Sequence, residues 1–490
     1  MEHKQAKTER PITLFQSLIP VVLLVGLLAI NVFVFRDDAL SGTNQFILII
    51  GGAIATIIGI YNRVSYEKIL SQVTTNIKDT SNAIFILLLV GALSGTWLIS
   101  GIIPSMIYYG LNILHPAIFL PACVIITSII SIATGSSWTT SATVGIALVG
   151  IGNALDMPLG IVGGAIISGA YFGDKLSPLS DTTNLAPVMA GTDLFIHIRY
   201  MLFTTVPTYV VTLILFIILG VIYGHSGNID TEETLAAIAN TFYITPWVFI
   251  VPAVVIFLIV RKVQSIAALL IGVLLGAIFA LIFQPDIVVA VSGGDTFNFY
   301  NAYKGMMLAI TTDVRILSPL ESLNALFEAG GMASMLDTVW LILCAMLFGG
   351  TMEAIGALQK ISTALLSIAS NVFGLFASTV ASCLAINIMT SDQYLSIVVP
   401  GKMFSDAYKI KGLAPENLSR TLEDSGTVTS VLIPWNTCGA YHAGVLGIPT
   451  LSYLPYAFFN YLSPFVTLLY AALNIKIRRL TNKDNHQAQA

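Results

Sequence analysis

Charged residues are scarce in this sequence of 490 residues: 10% are Asp, Glu, Lys or Arg, whereas 56% are apolar. A soluble globular domain carries roughly 25% charged residues, so this composition excludes that class. Residues 81–155 contain no Asp, Glu, Lys or Arg. That stretch is long enough for several helices of the ~20 residues that a bilayer core requires. The sequence therefore predicts an all-α polytopic membrane protein.

Three further absences limit the function. The four cysteines are not paired at the spacing of a zinc site or a disulfide framework. No basic patch with interleaved aromatic residues accompanies the net charge of -4, which excludes nucleic acid as a partner. The G-x-S-x-G and H-E-x-x-H motifs of hydrolases and zinc proteases are also missing. We therefore expect neither an enzyme nor a bound cofactor.

Apolar segments recur along most of the chain, and several are too short or too broken for simple crossing helices. The first of them is followed by Arg36, Asp37 and Asp38 rather than by a small-residue cleavage site, which favours a retained helix over a signal peptide. The candidate spans lie at about 14–35, 45–61, 82–100, 102–114, 117–133, 140–172 (interrupted), 194–224, 246–260, 264–283, 336–354, 361–389 (broken near Asn371), 393–408, 428–447 and 451–475.

Positive charge orients these spans. Basic residues cluster before the first span and after the last one, so both termini are expected in the cytoplasm. The acidic stretch before residue 246 then lies outside, and Arg261 and Lys262 lie inside. The predicted organisation is a cytoplasmic tail at 1–13, a first transmembrane repeat at 14–224, an extracytoplasmic linker at 225–245, a second transmembrane repeat at 246–475 and a cytoplasmic tail at 476–490.

The two halves begin on opposite sides of the membrane in this topology, which predicts two inverted-topology repeats with broken helices and re-entrant hairpins. Residues 130–150 resemble 384–403, each an apolar run interrupted by a small hydroxyl cluster. Residues 176–187 resemble 420–437, each with an acid, hydroxyls and then a proline. Matching broken segments in two halves indicate a binding site near the bilayer midplane and favour a carrier over a channel. Close helix packing is the alternative role for such small residues.

The segment GDKLSPLSDTTNLAP, residues 173–187, concentrates polar side chains and helix breakers between apolar runs. A helix broken inside a membrane frees backbone N–H and C=O groups that lipid cannot satisfy, so the break must face protein, water or a ligand. Hydroxyl, amide and carboxylate oxygens suit a small hard cation. Residues 181–184, with the sequence DTTN, offer all three within four positions.

An intramembrane aspartate such as Asp181 is a functional-site hypothesis by default. A low dielectric disfavours the charged carboxylate. The group can therefore hold either a proton or a sodium ion, but not comfortably both. Competition for one site that alternates between the two membrane faces would couple the two ions.

Three longer motifs carry a family resemblance: TGSSWTTSATVG at 134–145, GAIISGAYFGDKLSPLSDTTNLAP at 164–187 and LEDSGTVTSVLIPWNTCGAY at 422–441. They resemble the NhaC family of sodium/proton antiporters, which includes sodium-lactate/malate-proton exchangers. The resemblance runs from the first span to about Leu473. It implies a multi-pass secondary transporter of the bacterial inner membrane, with scaffold and mobile transport parts. It leaves open whether sodium is exchanged for protons alone or together with an organic anion or amino acid.

The expected partners are accordingly Na+, H+ and the lipid bilayer, with a small organic anion and a second copy of the chain as further candidates. The predicted ion-binding residues are polar side chains at the hairpin tips and broken segments, with sodium near the three aspartates: Ser136, Ser137, Thr139, Thr140, Asp181, Thr182, Thr183, Asn184, Ser391, Asp392, Asp424, Ser425 and Asn436. The predicted proton-handling residues are Asp174, Glu353 and His442.

Two local alternatives concern single residues. Asp181 could instead cap the half-helix that follows it, and Asp174 could form a structural ion pair with its neighbour Lys175. In a plain cation/proton antiporter the site needs no fixed positive charge, so Lys175 and Lys402 should be dispensable. An organic anion would need its carboxylate neutralised by sodium, by a half-helix N-terminus or by one of these lysines. Acids outnumber bases in the polar segments, which favours the plain antiporter.

Overall fold

The computed structural model describes residues 9–35, 42–224, 231–320, 324 and 327–480. Parts of the predicted tails and linker, at 1–8, 225–230 and 481–490, lie outside the described residues, as do residues 36–41. The described chain is helical throughout, apart from turns and one antiparallel pair of two-residue strands, β1 (Val314–Arg315) and β2 (Glu328–Ala329).

Ten α-helices lie between residue 14 and residue 223, and one π-helical segment, Ser141–Gly145, joins the sixth to the seventh. They are α1 (Leu14–Phe35), α2 (Thr43–Tyr61), α3 (Tyr66–Ile99), α4 (Ile102–Ile113), α5 (Pro116–Thr134), α6 (Ser137–Thr140), α7 (Ile146–Ala154), α8 (Leu159–Leu176), α9 (Asp181–Ala190) and α10 (Leu194–Tyr223).

The described residues from 231 onward form thirteen more α-helices, with a second π-helical segment at Glu423–Thr427. They are α11 (Thr231–Thr241), α12 (Ile250–Val260), α13 (Ser265–Phe283), α14 (Pro285–Ser292), α15 (Phe299–Thr311), α16 (Leu336–Ala354), α17 (Ala357–Ser367), α18 (Val372–Thr390), α19 (Gln393–Ile410), α20 (Pro415–Leu422), α21 (Thr437–Leu446), α22 (Thr450–Tyr453) and α23 (Phe458–Ala472). Short 3-10 turns lie at Pro246–Phe249, Ala333–Met335, Ser430–Leu432 and Leu454–Tyr456.

Eight helices of the described chain are long and apolar enough to cross a membrane, or nine if the bent pair from Glu232 to Val260 is counted as one span. The all-α, multi-pass membrane class predicted from composition is therefore confirmed. The shorter and broken segments complete the fold between these spans, and the polar residues of the sequence motifs lie on them.

Helix α3 differs from its predicted span. The apolar segment at 82–100 is only the C-terminal part of a 34-residue helix that begins at Tyr66. Its start is fixed by Ser65, whose hydroxyl accepts a hydrogen bond from the Lys68 N–H at 3.2 Å. At 1.5 Å per residue the helix is about 50 Å long, longer than the ~30 Å hydrocarbon core. Hydropathy identifies the apolar part alone, so the polar first turns were missed.

Two tight connections, or reversals, join consecutive helices near the polar motifs. The C-cap of α5 is Gly135, with φ 70°, and α6 starts after Ser136, whose hydroxyl accepts the Thr139 N–H at 3.2 Å. The C-cap of α18 is Ser391, with φ 59°, and α19 starts after its N-cap Asp392. A left-handed φ suits glycine and is uncommon for serine. Each reversal places a helix C-terminus beside the N-terminus of the next helix.

Two helix breaks lie beside these reversals. Helix α8 ends at Leu176, and α9 begins at Asp181 after the N-cap Ser180. Residues 433–436 separate the 3-10 turn at 430–432 from α21, and Asn436 caps that helix by accepting the Cys438 N–H at 3.0 Å. Pro178 and Pro434 stand in the breaks, and proline cannot donate the N–H that a continuing helix needs.

Helices α5 and α8 pack closely against each other, which brings the first reversal, after α5, next to the first break, after α8. A Cβ at Gly169 would lie 2.3 Å from the Val124 carbonyl oxygen, and one at Gly173 would lie 2.5 Å from that of Ser128. Both distances are far below contact, so only glycine permits this approach. The C-terminal end of α8 thereby reaches the tip between α5 and α6.

Candidate functional site

A cavity of about 980 Å³ opens where the two reversals and the two breaks converge. Its wall carries eight of the residues predicted from the sequence, drawn from both reversals, the first break and helix α16: Ser136, Thr139, Asp174, Asp181, Thr182, Asn184, Glu353 and Asp392. Side chains that are far apart in the sequence therefore share one aqueous space.

Acidic residues dominate the charge of this cavity. Five carboxylates and one ammonium group lie among its described lining residues. Two of the six charged residues, Asp79 on α3 and Lys262 after α12, were not predicted from the sequence, because they flank apolar spans and resemble ordinary interface residues. The net negative charge favours a cation over an anion inside the cavity.

Asp181 is exposed to the cavity at the first position of α9. The hydroxyl that accepts the Thr183 N–H, at 3.5 Å, belongs to Ser180, so the capping role that the sequence left open for Asp181 is filled by its neighbour. In the described part of the chain the Asp181 carboxylate accepts no hydrogen bond. Both of its oxygens therefore remain available to a ligand from the cavity.

Asp392 and Asp174 are held more firmly. Asp392 is half-buried, and one carboxylate oxygen accepts the Leu395 N–H at 2.8 Å as the N-cap of α19. Asp174 is buried, and one of its oxygens accepts both the N–H of Ser137 at 3.1 Å and its hydroxyl at 2.7 Å. Asp174 thus ties the end of α8 to the tip between α5 and α6.

The possible ion pair between the neighbours Asp174 and Lys175 does not form. Lys175 instead pairs with Asp424, and both side chains are fully buried. The second oxygen of Asp424 accepts hydrogen bonds from the hydroxyls of Thr204, at 2.8 Å, and Thr467. Successive residues of a helix point in different directions, so Asp174 faces the cavity and Lys175 faces the interior.

Four predicted ligands of the second half lie apart from the cavity wall: Ser391, Asp424, Ser425 and Asn436. Asp424 is in the buried ion pair just described, and the Ser425 hydroxyl donates to the Thr421 carbonyl. The Asn436 side chain caps α21 and donates to the Asn387 carbonyl at 3.1 Å. Beside Asp392, the residues Thr437, Cys438 and Gln393 of this half also line the cavity. The sequence offered no signal for these neighbours beyond their position beside the break.

The other predicted residues support the wall from behind. The Ser137 hydroxyl donates to the Asp174 carboxylate at the end of α8. The Thr183 hydroxyl donates to the backbone carbonyls of Asp174 (3.2 Å) and Lys175 (3.0 Å). The Thr140 hydroxyl donates to the Ser136 carbonyl at 2.9 Å. The buried Ser391 hydroxyl has no partner among the described residues.

His442 is buried behind the same wall. Its Nδ1 lies 2.9 Å from the Ser141 hydroxyl, and its ring centre lies 5.5 Å from that of Tyr171. Beside it, the rings of Trp138 and Tyr441 stack with centroids 4.0 Å apart. This stack joins the tip between α5 and α6 to α21, so the two halves of the chain meet at the floor of the cavity.

The helices and the cavity together define a multi-pass helical membrane protein whose broken segments enclose an acid-lined aqueous space. The chain belongs to the Na+/H+ antiporter family: the model of that family matches residues 169–475. This membership confirms the resemblance carried by the sequence motifs.

Relatives match nearly the whole chain. It is 36% identical to the Na(+)/H(+) antiporter NhaC of Alkalihalophilus pseudofirmus, over 97% of this chain and 99% of the relative. It is 39% identical to the malate-2H(+)/Na(+)-lactate antiporter of Bacillus subtilis, over 94% of each chain. It is 34% identical to the arginine/ornithine antiporter ArcD of Halobacterium salinarum, over 93% of this chain and 90% of the relative. These names differ in the cargo, so similarity alone does not select it.

Proposed function

We propose that this protein exchanges sodium for protons across the bacterial inner membrane, and that the two ions compete for the Asp181 carboxylate. The observation that carries the proposal is the acid-lined cavity. In it an unpartnered Asp181 and the half-buried Asp392, from different halves of the chain, share one space with hydroxyl groups. Such a site supports the transport of ions rather than chemistry on a substrate.

The oxygen ligands beside Asp181 suit sodium. Thr182 contributes a hydroxyl to the wall from α9, and Ser136 and Thr139 contribute theirs from the tip between α5 and α6. The Asn184 side-chain NH₂ donates to the carbonyls of Pro178 (2.9 Å) and Ser180 (2.7 Å), which leaves the amide oxygen as an acceptor. A hard cation binds such oxygens best when a carboxylate compensates its charge. Protonation of Asp181 removes that charge and releases the ion.

Alternating access requires a protein that can present this site to either side. The two tips, Gly135 to Ser136 and Ser391 to Asp392, each have a left-handed residue followed by an N-cap, and each lies near a proline-containing break. That recurrence supports two inverted repeats. Lys262 lies at the cavity wall on the side that positive charge assigns to the cytoplasm, so we take this conformation as open inward.

A second candidate, sodium-coupled exchange of an organic anion such as malate or lactate, is favoured by the size of the cavity. A volume near 980 Å³ is far larger than one hydrated ion requires, since a water occupies about 30 Å³. One relative is named for such an exchange. The five carboxylates against one lysine of the described lining oppose a carboxylate substrate, and we therefore place this candidate second.

Proteoliposomes with an internal pH dye separate the two candidates. Sodium added outside, without any organic anion, is expected to alkalinise the lumen as protons leave in exchange, and reversing the sodium gradient should reverse the sign. Liposomes without protein control for leak. A pH response that requires malate, lactate or an amino acid would instead select the second candidate.

A further inference from the structure

The ion pair between Lys175 and Asp424 is the feature of the interior that the proposed transport does not yet explain. Neither side chain is exposed to any degree, and the pair joins α8 to the π-helical segment that follows α20. A single buried charge is strongly disfavoured, so each partner requires the other. For a plain cation antiporter the sequence led to the expectation that Lys175 is dispensable, and the buried ion pair argues against it.

Four structural elements meet at this pair. Asp424 also receives hydrogen bonds from Thr204 on α10 and Thr467 on α23, and the Phe459 ring centre lies 5.7 Å from the Lys175 ammonium. The side chain of Lys175 thus holds the last turn of α8 against two helices and a π-helical segment of the interior. A π-helical turn in a helix frequently marks a functional position.

The residue before Lys175 belongs to the cavity wall. Asp174 binds the N–H and hydroxyl of Ser137, and Thr183 binds the carbonyls of residues 174 and 175. The end of α8, the tip between α5 and α6 and the start of α9 are therefore connected through two consecutive residues. Any displacement of Lys175 must displace Asp174 and the groups bonded to it.

We infer that Lys175 is a positioning residue for ion binding: its ion pair with Asp424 fixes the end of α8 and, through Asp174, the cavity wall around Asp181. The claim that this wall binds sodium rests on the proposed function, whereas the claim that the ion pair holds the wall in place does not. Lys402, the other lysine considered from the sequence, is exposed on α19 and provides a matched control.

A double variant, Lys175→Met with Asp424→Asn, tests this role. It removes both charges together, so no lone charge remains buried, yet it also removes the anchor. The first readout is the labelling rate, by a water-soluble maleimide, of Thr140→Cys in a background whose four native cysteines are replaced by alanine. Thr140 is fully buried at the tip, so labelling reports displacement of the wall independently of transport. The second is the apparent KM for sodium in proteoliposomes.

We expect the double variant to label about tenfold faster and to raise the sodium KM about tenfold, while Lys402→Met changes neither by more than about twofold. Thr467→Val removes one hydrogen bond to Asp424 but keeps both charges paired, so it should show a smaller increase in the labelling rate. This variant provides the test if the double variant does not fold. Parental labelling in these variants would overturn the inference and leave the pair a neutralising contact only. A parent that fails to exchange sodium for protons would reject the proposed function without altering the labelling result.

Discussion

Asp181 and Asp424 have similar sequence surroundings and opposite environments. Each is an acid followed by hydroxyl residues and then a proline, in segments that resemble one another. Asp181 is exposed to the cavity without a hydrogen bond from the described chain, whereas Asp424 is fully buried, paired with Lys175 and bonded to two threonines. The same local motif therefore occupies two environments, and the environment depends on a partner from elsewhere in the fold.

The difference separates a carboxylate whose oxygens are free to bind a ligand from one whose oxygens are already bonded within the fold. A carboxylate whose lone pairs are satisfied by an ammonium and two hydroxyls has little capacity left for an ion. A carboxylate that faces water with its oxygens free can exchange ligands at low cost. This contrast supports the proposal that ions exchange at the first broken segment, while the second anchors the fold.

The largest effect is expected for Asp181→Asn. The amide is nearly isosteric but carries no charge, so sodium loses its compensating carboxylate and exchange should fall to the background of empty liposomes. The amount of protein in the membrane should be unchanged, because Asp181 is exposed and unpaired. Asp406→Asn, at a side chain that is 88% exposed on α19, is the matched control and should transport normally. Normal exchange by Asp181→Asn would remove it from the ion site.

Asp424→Asn alone should differ from Asp181→Asn in its stability. It leaves the Lys175 ammonium buried without its anion, a change that typically costs about 3–5 kcal/mol of stability. Thermal unfolding in detergent should detect the loss, and Asp181→Asn should stay within about 0.5 kcal/mol of the parent. Equal stability of the two variants would contradict the contrast between them.

A smaller effect on transport and stability is expected from substitution of Asp392, which both lines the cavity and is bonded within the fold. One carboxylate oxygen caps α19 through the Leu395 N–H, and the side chain also reaches the cavity. Asp392→Asn keeps the cap and should weaken sodium binding without a loss of stability, whereas Asp392→Ala should lose about 1 kcal/mol in addition. Thermal unfolding beside sodium titration of both variants separates the two contributions. Identical results for the amide and the alanine would show that the cap contributes nothing.

The sequence predicted the multi-pass helical class and eight residues of the cavity wall because both depend on local patterns. Apolar runs of the required length identify membrane helices, and small hydroxyl clusters that interrupt such runs mark the reversals at Ser136 and Asp392. It missed the pairing of Lys175 with Asp424, whose positions are 249 residues apart. It also missed Asp79 and Lys262, which reach the cavity only because α3 and α12 pack beside it. Such contacts are tertiary and leave no local signal.

The apparent KM for sodium as a function of pH tests the central claim most directly. If a proton and a sodium ion compete for the Asp181 carboxylate, the KM should rise as the pH falls, by up to about tenfold per pH unit once protonation dominates, while the maximal rate at saturating sodium is retained. Proteoliposomes with equal pH on both sides and a radioactive sodium tracer provide the measurement. A sodium KM that stays constant over the whole pH range in which the protein remains folded would contradict competition at this site.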